Sequence, residues 1–399
     1  MKRTILIAAI SPAALAFASC GSAQTGDNDT AGSATSGNLV SEAQSTAEGS
    51  GTFTIEEHGT LDEPWAIAVE PGTGNLFITE KGGTAKFYQP ANGRLGTIES
   101  GLPQVAYGGQ GGLGDFAFAP DYGTSRTVYI SWADAGEGDA RRAAVGRGTL
   151  VCEQADSCRI EGFAKIWQQS LDIASPGHFS HKITFSPDGQ HMFVASGERM
   201  QGDPAQDLGN TLGAIVRLNL DGTPVEGNPF ADRGSPTDQI WSYGQRNIYG
   251  LEFDSQGRLW GLEHGPRGGD ELNLVEPGNN YGWPVRSNGD NYNGDPIPDH
   301  TADDGFIKPA ISWNPVIAPG GMIFYSGKLW PEWEGQLLVA NLGSMSLSRI
   351  EAVDANTATE LVRYSMGARL RDIAETDDGA IWVIGDGPRG KLLKLTPKS

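Results

Sequence analysis

From residue 60 onward, short runs of alternating hydrophobic and polar positions are broken by clusters of Pro, Asp and Gly. Trp65-Ala-Ile-Ala-Val-Glu-Pro-Gly-Thr-Gly-Asn-Leu-Phe-Ile-Thr79 shows the grammar: a period-two strand, a tight turn, then a second run of β-formers. The same order recurs in Leu113–Tyr122 leading to Val128–Ser131, in Ile183–Gly189 leading to Met192–Ala195, and in Gly250–Trp260. It returns in Gly321–Gly327 leading to Leu337–Ala340 and in Ile373–Ile384, which makes six copies in all. Hairpins repeated at intervals of about 50 to 70 residues suit the blades of a propeller, in which each sheet buries its faces on its neighbours. The expected fold is therefore all-β, a six-bladed β-propeller. A pair of β-sandwiches with unrelated hairpins is the alternative, and no long helical periodicity supports βαβ units.

Composition changes this picture little. The 56 glycines among 399 residues follow no three-residue period, which excludes collagen and favours many turns. With 49 acidic against 29 basic residues the net charge is −20, which argues against a nucleic-acid partner and otherwise favours solubility.

The first residues read as an export signal: Lys2 and Arg3, an apolar run from Thr4 to Phe17, then small residues ending at Cys20. Leu15–Cys20 resembles a lipobox, which makes Cys20 a lipidation candidate and simple cleavage near Ala18 the alternative. The expected organisation is a signal peptide over 1–20, a polar tether over 21–51 and the propeller domain over 52–399, located in the periplasm. Residues 21–51 hold almost no large hydrophobe and cannot offset the entropy of ordering. Cys152 and Cys158 stand within Leu150–Ile160 and predict a disulfide across a hairpin tip, since metal binding would need more Cys or His nearby.

A propeller places its ligand on the axis at one mouth, so loops far apart in sequence should converge there. Five loops carry polar residues without an obvious structural task. His178 lies in Gly177-His-Phe-Ser-His-Lys182, just before the third copy; alone, such a histidine is commonly a surface or capping residue. The adjacent pair Arg246 and Asn247 offers donors that suit an anion or a quinone oxygen, or a salt bridge and a turn. Glu263-His-Gly-Pro-Arg-Gly-Gly-Asp-Glu271 forces irregular backbone beside acids, which makes a hard-cation site plausible without the spacing of an EF-hand. Gly108–Leu113 is glycine-rich enough for close backbone approach, yet lacks the lysine and helix of a phosphate loop. Arg369 and Arg371 alternate onto one strand face, where they repel unless an anion or a carboxylate lies between them.

Together these loops resemble, in order and spacing, the glucose/sorbosone dehydrogenase family, the soluble sugar dehydrogenases that depend on pyrroloquinoline quinone (PQQ). The resemblance covers residues 57–396. Its most specific parts are Tyr243–Gly250, Glu263–Pro266 through Asp270–Asn273 to Asn280–Pro284, and Ala205–Leu208 leading to Gly213 and Arg217. It implies oxidation of an aldose at C1 to the lactone, with hydride passing to C5 of PQQ and the electrons leaving to an unidentified acceptor. His178 matches the general base. Arg246 matches the residue that polarises the quinone oxygens, and Asn247 a cofactor contact. The carbonyls of Gly265 and Pro266 match ligands of the Ca²⁺ that touches PQQ, while Glu271 and Tyr281 match ligands of a second Ca²⁺. Arg369 and Arg371 match the pair that holds the cofactor carboxylates, and Gln110 a residue near the sugar.

The chain departs from the family pattern twice. Gly343 stands where a lysine that contacts PQQ is expected, and Ser180-His-Lys182 replaces the usual Gly-Gly-Arg after the base, which makes His181 a competitor for that role. Rival functions are a Ca²⁺-dependent lactonase propeller and a binding propeller that has lost its cofactor. The lactonase needs metal ligands from several blades, whereas here they fall in one loop.

Overall fold

The computed structural model describes residues 53–355 and 357–398. The expected export segment, Cys20 and the tether over 21–51 lie outside them. Hairpin after hairpin folds into antiparallel ribbons, because each turn supplies the Gly, Asp or Asn that its backbone needs and each strand keeps period two. Pro64–Val69, Leu76–Glu80, Thr84–Gln89 and Arg94–Ser100 form one such run. Leu113–Phe118, Thr127–Ala135, Arg141–Gln154 and Ser157–Gln168 form the next, joined to the first by parallel pairing of Arg94–Ser100 with Ser157–Gln168.

Ser180–Phe185, His191–Ser196, Ala214–Asn219 and Ile240–Tyr243 make a four-stranded sheet, as do Ile248–Phe253, Leu259–Glu263, Asp270–Val275 and Ile311–Trp313. Pro319–Phe324, Leu337–Asn341, Ser346–Asp354 and Thr357–Ser365 follow. In the last sheet Leu370–Glu375, Ile381–Gly385 and Gly390–Pro397 take their fourth strand from Phe53–Leu61, so the beginning and end of the described chain are hydrogen-bonded together. The first strand of each run touches the first strand of the next, and Leu370–Glu375 returns to Pro64–Val69, which closes a circuit. Among the described residues the only α-helix is the single turn Tyr122–Ser125. The all-β expectation therefore holds.

The core lies between sheets. Trp260, Trp313, Trp333 and Trp382 are fully buried there, and truncating any one to Ala would cost about 3–5 kcal/mol. On the inside of the circuit the side chains are polar. Lys182 reaches Asp372 at 3.1 Å and Asp115 at 3.4 Å, so three inner strands share one ammonium. Asp372 also accepts the Ile67 amide from a fourth strand, at 3.1 Å.

Each of these inner strands is irregular near its start. Register shifts fall between Pro64 and Ala66, Leu113 and Phe116, Ser180 and Ile183, Ile248 and Gly250, Pro319 and Gly321, and Leu370 and Asp372. A bulge there breaks the ladder and re-aims side chains, a device common beside active sites. The predicted disulfide is present: Cys152 and Cys158 join the hairpin of Arg141–Gln154 and Ser157–Gln168 near its tip.

Candidate active site

The bulged ends of the inner strands carry the polar loops singled out from the sequence. His178 does not sit in extended backbone: its φ is 52°, and Ser180 and His181 follow at 64° and 74°. The left-handed region costs a non-glycine residue about 1 kcal/mol or more, so surrounding contacts must impose it. Those contacts are visible. The His178 amide donates to Gln110 Oε1 at 2.7 Å. Gln110 in turn is held by its own amide on Pro176 O at 2.7 Å. Gly109 permits this approach, since a Cβ there would lie 2.5 Å from Pro176.

The imidazole of His178 is buried, and its Nδ1 pairs closely with Glu198. Burial lowers the His178 pKa, with Arg246 and Arg199 adding to that effect and Glu198 opposing it. For Glu198, burial works to raise the pKa, but the bond to His178 and the Gly202 amide hold it below the ordinary carboxylate value. The pair therefore favours neutral imidazole beside ionised carboxylate, with Nδ1 protonated and Nε2 left as the basic nitrogen.

His181 differs in its partners. It stacks on Phe179 with centroids 5.3 Å apart, meets Trp65 edge-on, and both ring nitrogens are buried without a hydrogen-bond partner. Burial pushes its pKa down to about 3. Positive φ angles at His178, Ser180 and His181, and not the alternation of an extended strand, set the directions of the two rings.

Arg246 and Asn247 enter from the neighbouring loop. The Arg246 amide donates to Glu263 Oε2 at 2.6 Å, and Nη1 to the His264 carbonyl at 3.1 Å. Trp283 lies under the guanidinium at 5.0 Å. Asn247 Oδ1 accepts the Ser180 amide at 3.2 Å. Arg246 Nε and Asn247 Nδ2 are buried donors without a partner, which fits an oxygen-rich ligand.

Gly265 and Pro266 are buried in the loop between Leu259–Glu263 and Asp270–Val275. Asp270 ties that loop down, accepting the Gly265 amide at 2.9 Å and the Ala318 amide at 2.6 Å. Glu263 and Glu271 stand opposite each other on neighbouring strands, both buried, and neither forms an ion pair within 4 Å among the described residues. Burial pushes Glu263 up to about 7, and burial together with Glu263 raises Glu271 well above the ordinary value. Like charges facing each other in a dry site need a proton or a cation between them. Tyr281 lines the same narrow cleft, together with Arg246, Gly265 and Glu271. Its hydroxyl is committed to Leu274 O at 2.7 Å and to the Glu276 amide at 2.9 Å, so only its backbone oxygen is left to ligate. No group of three or more His, Cys, Asp or Glu side chains among the described residues is arranged for a metal, so any cation here relies on carbonyls as well.

Arg369 and Arg371 share one carboxylate. Asp386 accepts Arg369 Nε at 2.8 Å through one oxygen and Arg371 Nη2 at 2.6 Å through the other. That resolves their mutual repulsion. Arg371 stacks over Trp65 at 4.5 Å and lines a second narrow cleft with His181, Lys182 and Tyr249. Gly343 packs tightly, for a Cβ would lie 2.9 Å from both Ala318 Cβ and Ile317 O.

His264 is the hub of the arrangement and was not singled out from the sequence. It meets Tyr249 at 4.7 Å, bonds Pro319 O, and is kept neutral near pKa 3, chiefly by burial and further by Arg246, Arg371 and His178. Those three side chains therefore act on it from two loops and one strand far apart in sequence. Gln110 joins them through Tyr249, whose hydroxyl lies 3.3 Å from its Oε1. Glu198, Asp386 and Arg199 also escaped sequence reading. The only signal for Glu198 and Asp386 was an acid just beyond the second strand of a copy, in Ser196-Gly-Glu198 and Gly385-Asp386.

Comparison with known proteins agrees with this geometry. The family described as Glucose / Sorbosone dehydrogenase matches residues 61–394. Aldose sugar dehydrogenase YliI of Escherichia coli is 35% identical over 344 residues, which cover 85% of this chain and 91% of that protein. The crystal structure of the soluble aldose sugar dehydrogenase from Escherichia coli, in its apo form, superposes with a TM-score of 0.81 at 34% identity, over 87% of this chain and all of that one. The PQQ-bound aldose sugar dehydrogenase of Streptomyces coelicolor gives a TM-score of 0.72 at 25% identity, over 87% of this chain and 98% of that one. The chain belongs to the glucose/sorbosone dehydrogenase family and is an oxidoreductase.

Proposed function

We propose that this protein is a PQQ- and Ca²⁺-dependent aldose sugar dehydrogenase on a six-bladed propeller, oxidising the C1 hydroxyl of its sugar to the lactone. The observation that carries the reading is the buried His178–Glu198 pair beside Arg246, in a mouth where Arg371 and Arg246 meet at His264. The relatives named above as aldose sugar dehydrogenases, one of them PQQ-bound, support it. PQQ carries three carboxylates, and a chain of net charge −20 must concentrate positive charge to hold them. Arg369 and Arg371 would bind carboxylates, and the unpartnered donors of Arg246 and Asn247 would bind quinone oxygens. Gly265 and Pro266 carbonyls would hold one Ca²⁺. Glu271 and the Tyr281 carbonyl, with Glu263 opposite, would hold a second. Bound there, PQQ supplies the hydride acceptor at C5 and Ca²⁺ polarises the quinone.

The chain's own residues handle the proton and the geometry. His178 accepts the C1 hydroxyl proton at Nε2, since Nδ1 is committed to Glu198. Glu198 fixes the tautomer and stabilises the imidazolium that forms. Gln110, bound to the His178 amide, would contact the sugar. Export to the periplasm, with a lipid anchor at Cys20, belongs to this reading, and the Cys152–Cys158 disulfide suits an oxidising compartment.

The packed Gly343 favours one rival, a binding protein that has lost its cofactor. Loading the purified protein with PQQ and Ca²⁺ and following the quinone absorbance on adding an aldose separates the two. Bleaching of the oxidised quinone supports the dehydrogenase; stable binding without any change on sugar addition, or no binding, overturns it.

A further inference from the structure

Arg199 is fully buried, yet it has no carboxylate within 4 Å of its guanidinium among the described residues. Its donors go to three backbone carbonyls instead: Nε to Gly177 O at 2.9 Å, Nη1 to Arg141 O at 2.7 Å, and Nη2 to Ser175 O. The guanidinium lies 3.5 Å over the Phe179 ring. Its backbone amide donates to the His178 carbonyl at 3.2 Å. So one side chain grips the residues on both sides of His178, and the backbone of the same residue grips His178 itself. Arg199 and Met200 adopt left-handed φ angles of 61° and 59°, facing those of His178, Ser180 and His181. Two strained segments are thus clamped together through one planar fork, a geometry that an ammonium cannot reproduce. Glu198, the partner of the imidazole, immediately precedes it in the chain.

We infer that Arg199 is a positioning residue for the reaction: its fork holds the His178 loop in its left-handed course beside Glu198. The inference rests on His178 being the base. The groups that face the imidazole are Glu198, which favours its protonation, and Arg246, Arg199 and neutral His264. Removing Arg199 therefore leaves one cation fewer beside a half-satisfied His–Glu pair, and His178 should protonate at higher pH.

Arg199→Lys and Arg199→Met separate fork from charge in the full-length protein loaded with PQQ and Ca²⁺. Both variants should lower kcat by about 10- to 100-fold, the scale of a base displaced by under an ångström, with sugar KM and PQQ Kd within about twofold of wild type. The acid limb of kcat/KM should move to higher pH in Arg199→Met and stay in place in Arg199→Lys. In the cofactor-free protein, ring-carbon NMR of His178, assigned with His178→Ala, should show the same upward shift for Arg199→Met alone. A lower melting temperature with kcat, acid limb and NMR midpoint all unchanged would make Arg199 structural only and overturn the inference. If Arg199→Met does not fold, Arg199→Lys decides, because wild-type kcat in that variant is enough to refute the fork. Full activity in His178→Ala would instead remove the base reading itself, and the inference with it.

Discussion

Replacing Lys182 with Met removes the ammonium shared by Asp115 and Asp372 while keeping most of the side-chain volume. Lys182 is 17% exposed, against 7% and 2% for its partners, so the pair is largely dry. Removing one member of a buried ion pair typically costs about 3–5 kcal/mol, and the partial exposure of Lys182 places the loss near the lower end, about 3 kcal/mol. With about 2.1 cal/mol/K of unfolding entropy per residue over roughly 340 residues, that lowers Tm by about 4 °C. The loss must also depend on pH. Burial already raises Glu252 to about 8, with Asp115 and Asp372 adding to it and Lys182 opposing. Asp372 is raised as well, chiefly by burial. A carboxyl whose folded pKa exceeds its unfolded value contributes stability at low pH and loses it as pH rises through the folded value. Without Lys182 these pKa values climb further, so the variant should be nearly as stable as wild type at pH 5 and fall behind by pH 8. Calorimetric melts at both pH values measure this. An equal deficit at pH 5 and 8, or one below about 1 kcal/mol at pH 8, would refute the view that Lys182 neutralises the axis.

Three further expectations follow from the site. Arg371→Ala should weaken PQQ binding by about 2 kcal/mol or more, roughly 30-fold, in a direct titration, because a charge-assisted pair is lost; unchanged affinity would sink the arginine assignment. Reducing Cys152–Cys158 should cost about 2 kcal/mol or less, as its closed loop is short, and leave PQQ binding intact; loss of cofactor on reduction would place the hairpin at the mouth. Because burial lowers the His178 pKa, the acid limb of kcat/KM should lie below pH 6.5, with activity lost only as falling pH protonates the imidazole; a limb above pH 7 would point to another base.

The inner two strands of each ribbon were legible because they are buried and turn on Gly, Pro and Asp, as Ile381–Gly385 and Leu337–Asn341 show with every residue buried. The outer strands were not. Phe53–Leu61, which completes the last sheet, exposes most of its side chains, so no hydrophobic period marks it. The loops were legible as polar, glycine-rich breaks, and Arg246, Asn247, Gln110 and His178 do meet at one end of the circuit. Their partners were hidden for a physical reason. Glu198 lies 20 residues beyond His178, and Asp386 lies 15 beyond Arg371, so it is the hairpin register, Ser180 opposite Ser196 and Leu370 opposite Gly385, that brings them into contact. Strand alternation misled at the bulges, where one extra residue or a positive φ decides which way a side chain faces.

The central claim is that His178 takes the proton when an aldose is oxidised in this mouth. Single-turnover reduction by an aldose, followed by quinone absorbance in protein saturated with PQQ and Ca²⁺, tests it directly. His178→Ala should bind both cofactors normally and slow the step by about 10² to 10⁴, the usual contribution of a general base, while His181→Ala stays close to wild type. The reverse order, or a wild-type rate in His178→Ala, would contradict the account.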